Sequence, residues 1–141
     1  MATILLIDDD EMLRTVLAMA LDVVGHVVLQ AENGQKGMEL LRTTSVDIVI
    51  TDLVMPVQEG VETIVKLRRE RPSLPVIAIS GGVPNSYLYL DLASKIGAKR
   101  ILAKPFLPRQ LVALIEELLI EEKLKSAGGL SPPTPTDPSG T

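Results

Sequence analysis

Five short, mostly apolar runs, at residues 3–7, 27–31, 47–51, 76–80 and 100–103, are separated by longer stretches in which apolar residues recur at helical spacing. A run that is apolar at successive positions suits a strand covered on both faces, and a parallel sheet needs a crossover helix after each strand to cover it. The chain offers those helices at residues 11–24, 34–43, 59–71, 85–96 and 108–125. In the first, Leu13, Val16, Leu17, Ala20 and Leu21 make one stripe, and in the last Leu111, Leu114, Ile115, Leu118 and Leu119 do the same. Gly25, Asn33-Gly34, Pro72, Pro75, Pro84, Gly97 and Pro105 fall at the ends of these segments, where chain reversals are required. The pattern predicts an α/β fold of five βα units, a doubly wound five-stranded parallel sheet.

With 141 residues and 46% hydrophobic content, the chain is long enough for one domain with a real core. That domain is expected to occupy residues 1–125. Residues 126–141, rich in Pro, Gly and Ser, bury too little apolar area to offset their ordering entropy and are expected to form a disordered tail. Only Tyr87, Tyr89 and Phe106 are aromatic, so a base-stacking platform lacks its parts. The net charge is −4, and the basic pairs Arg68-Arg69 and Lys99-Arg100 are too sparse to neutralise a phosphate backbone, so direct nucleic-acid binding is not expected. The absence of cysteine excludes disulfides and thiolate metal sites. No apolar stretch approaches the ~20 residues of a membrane span and no signal-peptide pattern opens the chain, so a cytoplasmic location away from membranes is expected.

The chemistry-bearing residues follow the apolar runs. Asp8, Asp9 and Asp10 follow the first, Asp52 the third and Lys104 the fifth, while Ser80 closes the fourth. In an open parallel sheet the carboxyl ends of the strands border one crevice, which would gather carboxylates and one ammonium there. Crowded carboxylates repel unless a cation lies among them, and an all-oxygen donor set suits Mg²⁺. Phosphoryl transfer is the chemistry this suggests. Only one of the consecutive aspartates can cap the following helix, and Asp10 is best placed to do so. His26, the only histidine, is assigned no catalytic role.

The ordered set Asp8-Asp9-Asp10-Glu11, Asp52-Leu53-Val54-Met55-Pro56 with Gly60, Ser80-Gly81 and Lys104-Pro105-Phe106 resembles the receiver domain of two-component response regulators, over Met1 to about Lys123. The resemblance implies a flavodoxin-like receiver fold and a stand-alone signalling switch that catalyses only its own phosphorylation and dephosphorylation. It implies that Asp52 is the phospho-acceptor, that Asp9, Asp52 and the backbone carbonyl of Val54 hold Mg²⁺ directly, and that Asp8 does so through water. Lys104 and Ser80 would pair with phosphoryl oxygens, and the Lys104–Pro105 bond would be cis. The implied partners are a sensor histidine kinase or a histidine phosphotransfer protein, and a downstream protein contacted through the fourth helix, fifth strand and fifth helix.

The chain departs from that family at three places. Ile101 stands where many receivers carry an aromatic ring that swings inward, leaving Tyr87 or Tyr89 as alternative aromatic contacts. Val54 and Gly82 offer no polar side chain to orient a hydrolytic water. Two other readings stay open. A domain used for interaction alone would leave Asp52 unmodified, and a haloacid-dehalogenase-type phosphatase would use Asp8 as nucleophile and Asp10 as acid/base.

Overall fold

The computed structural model describes residues 1–53, 57–81 and 86–128, and side chains are described outside 57–59, 86, 87, 89 and 126–128. The elements are β1 (Thr3–Ile7), α1 (Glu11–Val23), β2 (Val27–Ala31), α2 (Gly34–Thr43), β3 (Ile48–Asp52), α3 (Val57–Glu70), β4 (Val76–Ser80), α4 (Ser86–Lys95), β5 (Arg100–Ala103) and α5 (Pro108–Gly128). All four strand pairs are parallel, in the order β2-β1-β3-β4-β5. The chain steps outward from β1 to β2 and then back past β1 to β3, so the topological switch lies between β1 and β3.

Successive strand side chains point to opposite faces, which divides the core in two. Ile4, Leu6, Ile48, Ile50, Ile77 and Ile79 pack beneath Leu17 and Leu21 of α1 and Leu111, Ile115 and Leu118 of α5. Leu5, Ile7, Val49, Val76 and Ala78 face the other way, against Met38 and Leu41 of α2, Ile64 and Leu67 of α3, and Leu90 and Ala93 of α4. This is why β1, β3 and β4 read as continuous apolar runs.

Most boundaries match the expected ones, and the differences have local causes. β3 runs 48–52, one residue later than expected, because the ladder continues through the carboxylate: Asp52 is in register with Ile79, and Leu53 N–H donates to the Ile79 carbonyl. Asp47 instead anchors the strand's entry, its side chain accepting from Thr3 N–H at 2.8 Å. α1 stops at Val23, since Val24 is the C-cap and Gly25 has φ +96°. α5 continues to Gly128, past the compositional break at Ser126, because Ser and Ala tolerate a helix already under way and the first strong breaker is Gly128-Gly129. The remainder of the expected tail, residues 129–141, lies outside the described residues. Among the described residues no helix is long and apolar enough to cross a membrane.

Polar ties fix the pole of the sheet away from the strand carboxyl ends. Buried His26 accepts from Ala2 N–H through Nδ1, and its Nε2 faces Glu116 of α5 at 3.6 Å. Arg100 pairs with Glu117 and Glu121, and Lys99 with Glu122, joining the start of β5 to the second half of α5. Arg68 donates to the Pro72 and Leu74 carbonyls.

Two glycines here have positive φ but different surroundings. A Cβ on Gly25 would meet nothing within 4 Å, whereas one on Gly97, at φ +124°, would lie 2.4 Å from Arg68 Cδ. Gly25→Ala is therefore expected to cost only backbone strain, about 1–2 kcal/mol. Gly97→Ala should cost more, because Arg68 must also leave its carbonyls; urea unfolding of the two variants measures the difference.

Candidate functional site

The carboxyl ends of β1, β3, β4 and β5 bring Asp8, Asp52, Ser80 and Lys104 to one crevice beside the switch point. Asp8, Asp52 and Ser80 are each no more than 1% exposed, an unusual depth for such polar groups. Gly60 of α3 lets the helix approach closely, since a Cβ there would lie 3.2 Å from Leu53 Cα and 3.4 Å from the Asp52 carbonyl oxygen. Lys104 reaches the crevice from the end of β5, its backbone N–H donating to the Ser80 carbonyl at 2.7 Å. The Lys104–Pro105 bond is cis.

Lys104 Nζ stands 2.5 Å from Asp52 Oδ2 and 3.7 Å from Asp8 Oδ2. One ammonium thus serves two buried carboxylates. Asp8 Oδ1 accepts from Asp10 N–H at 2.8 Å, but among the described residues no hydrogen-bond donor reaches Asp8 Oδ2 and none pairs with the buried Ser80 hydroxyl. The Asp8 carboxyl is pushed from 3.8 up to about 7, first by burial and then by the neighbouring Asp52 carboxyl; the Asp10 N–H and the Lys104 charge oppose the rise. The site therefore favours added positive charge.

An all-oxygen donor set with one buried, donor-free carboxylate oxygen fits a hard divalent cation. Among the described residues no three His, Cys, Asp or Glu side chains are grouped tightly enough to hold a metal by themselves. Mg²⁺ keeps several waters and needs only one or two carboxylates. Asp8 and Asp52 are the two in place, whereas Asp9 lies exposed at the mouth. Val54, whose carbonyl was expected to complete the set, lies outside the described residues, as do Gly82 and the side chains of Tyr87 and Tyr89. Asp10 turns away to cap α1, accepting from Leu13 N–H at 3.1 Å.

Arg14 was not singled out by the sequence. Its guanidinium reaches back from α1 to the Asp8 carbonyl at 2.6 Å. The available signal was an arginine one turn into the helix that follows an acidic cluster. Beyond the crevice, Met12, Val16, Met19 and Val23 form an outward stripe on α1 at 77%, 46%, 64% and 84% exposure, too apolar for an ordinary solvated helix face. Leu13, Val16, Phe106 and Pro108 line a groove that connects this stripe to Lys104.

The chain is similar to known proteins in sequence and in fold. The sequence matches the response regulator receiver domain family over residues 4–116. It is 39% identical over 119 residues to the transcriptional regulatory protein CpxR of Klebsiella pneumoniae, covering 84% of this chain and 50% of that protein. It is 36% identical over 118 residues to the DNA-binding transcriptional regulator NtrC of Azospirillum brasilense, covering 84% of this chain and 24% of that one. The chain thus spans half or less of the length of these curated relatives. Among solved structures, a response regulator receiver domain protein from Clostridium thermocellum superposes with a TM-score of 0.80 at 29% identity, covering 88% of this chain and 98% of its own. NtrX from Brucella abortus gives 0.84 at 26% identity, over 92% of this chain and 29% of that one. With the family match spanning most of its length and the paired aspartates and lysine at its strand ends, this chain belongs to the response regulator receiver domains, the phosphorylatable signalling switches of two-component systems.

Proposed function

We propose that Asp52 accepts a phosphoryl group from the phosphohistidine of a sensor histidine kinase or histidine phosphotransfer protein, in a Mg²⁺-dependent reaction. The observation that carries this reading is the single Lys104 ammonium shared by two buried carboxylates. An Asp52 carboxylate oxygen attacks phosphorus and forms an acyl phosphate. The phosphorus–nitrogen bond breaks, and its electron pair returns to the imidazole. Asp8, Asp9, Asp52 and the Val54 carbonyl would hold Mg²⁺, which when bound offsets the repulsion between the attacking carboxylate and the phosphoryl oxygens. Lys104 exchanges its Asp52 oxygen for a phosphoryl oxygen. The Ser80 hydroxyl, which has no partner among the described residues, donates to another.

The donor must present its phosphohistidine at the crevice mouth, and the apolar α1 stripe beside that mouth offers it a helical docking face. The switched surface is the α4–β5–α5 face, where Leu88, Leu92 and Ile101 are 53%, 41% and 43% exposed. A cytoplasmic location follows from such a donor. The activities of the longer relatives are not needed for any of these steps.

Incubation with acetyl phosphate and Mg²⁺ should add one phosphoryl group to the parent chain by intact mass and none to Asp52→Asn. Label located on Asp8, or none on the parent chain, would overturn the proposal. Met19→Glu should slow transfer from a histidine kinase that labels the parent chain by about tenfold or more, as burying a charge in an apolar contact requires, while acetyl phosphate labelling stays unchanged.

Stability carries a third expectation. Native Asp8 binds its proton more tightly than the unfolded chain does, so its contribution is full below about pH 4 and is lost as pH rises through about 7. In Mg²⁺-free buffer, Asp8→Asn should raise stability at pH 8 by about 1–3 kcal/mol and flatten that decline. Urea midpoints across the pH range provide the check.

A further inference from the structure

We propose that Arg14 is a positioning residue for the metal-binding carboxylates, acting through the backbone rather than through its charge; the inference rests on the Mg²⁺ reading above. Arg14 Nη1 donates to the Asp8 carbonyl at 2.6 Å, and Nε donates to Gln30 Oε1 of β2 at 3.3 Å. The Asp8 carbonyl shares its peptide plane with the Asp9 nitrogen, so holding that oxygen fixes the rotation of the plane and with it the direction in which Asp9 leaves the chain. The same short segment is held at further polar atoms. Asp8 N–H donates to the Ala31 carbonyl at 3.1 Å, Asp8 Oδ1 accepts from Asp10 N–H, and Asp10 caps α1. Arg14 secures the one carbonyl in the turn between the two expected ligands. It also ties that carbonyl to the edge strand, because Gln30 anchors the other side of the guanidinium.

Asp9 needs this support because it is exposed and sits outside the buried Asp8–Asp52–Lys104 cluster. An exposed carboxylate binds well only if its backbone presents it at the right angle, and outer groups that orient ligands in this way typically change metal affinity by about 10- to 100-fold when removed. The charge of Arg14 works in the opposite direction. A cation placed near a cation site weakens binding, so deleting that charge alone would tighten Mg²⁺. The two effects of one substitution therefore have opposite signs, and the sign of the change distinguishes them.

The test is the thermal unfolding midpoint of the full chain across a MgCl₂ series, without any phosphodonor, for the parent, Arg14→Met, Arg14→Lys and Gln30→Ala. Arg14→Met should raise the Mg²⁺ concentration at half-saturation about tenfold or more. Arg14→Lys, which keeps one donor, should restore most of the affinity, and Gln30→Ala should give a smaller rise. Should Arg14→Met fail to fold, Gln30→Ala at its exposed position decides the matter. Half-saturation that is unchanged or lower in Arg14→Met, or unchanged in Gln30→Ala when Arg14→Met is unfolded, overturns the proposal while leaving the phospho-acceptor reading intact. A parent chain with no Mg²⁺ response overturns both.

Discussion

The architecture is organised around an electrostatic imbalance: two carboxylates buried at the sheet's switch point against one ammonium. Neither Asp8 nor Asp52 would be tolerated at that depth alone, because an isolated buried charge is strongly unfavourable. They are held there by surrounding structure. Ile4, Leu5, Leu6 and Ile7 fix β1 between β2 and β3, and Ile48, Val49 and Ile50 fix β3 between β1 and β4. The two central strands therefore deliver their terminal aspartates side by side whatever the electrostatic cost. The edge strand β5 then brings Lys104 to meet them. A core that is apolar on both faces of the sheet is what allows so unfavourable a constellation to persist at its rim.

Much of this was legible in the sequence because it is written in patterns that depend on near neighbours. Mostly apolar runs gave β1, β2, β4 and β5 with their observed ends; in β1 and β4 burial on both faces leaves no room for alternation, whereas β2 and β5 lie at the sheet edges and are partly exposed. Asn33 before Gly34 marked α2, and its side chain does cap that helix by accepting from Lys36 N–H. One rule about parallel sheets brought Asp8, Asp52 and Lys104 to one crevice along with Asp9 and Asp10, of which Asp10 caps α1 and Asp9 lies exposed, while Ser80 was marked only by the family resemblance. What escaped notice was set by particular contacts across the fold. Arg14 reads as a surface arginine until the path of its guanidinium back to Asp8 is known, and nothing in its spacing indicates that path. The boundary of β3 moved because a ladder bond to Ile79 extends a strand through a charged residue, contrary to its propensity. The outward stripe of Met12, Val16, Met19 and Val23 was not legible either, since periodicity alone does not say which side of an amphipathic helix meets the sheet. Val16 was assigned to the inward stripe and stands nearly half exposed.

The two surfaces beside the crevice have different characters. α1 presents flexible, polarisable methionines and valines close to the site, a face suited to adaptable contact with another helix. The β5 side carries a denser charge pattern, with Arg100 and Lys99 already committed to α5 carboxylates. Contact on α1 can therefore bury apolar area without disturbing existing ion pairs, whereas contact near the start of β5 competes with them.

That commitment has a mechanical consequence. β5 is a strand of four residues whose first, Arg100, is bolted to Glu117 and Glu121, and whose far end carries Lys104 just beyond Ala103. The rest of the strand is no looser: Ile101, Leu102 and Ala103 are paired in turn with Ala78, Ile79 and Ser80 of β4, and Lys104 N–H donates to the Ser80 carbonyl. β5 is thus a rail clamped along its whole length, and when the oxygens that Lys104 grips change, the adjustment is left to the long lysine side chain while the strand keeps its register.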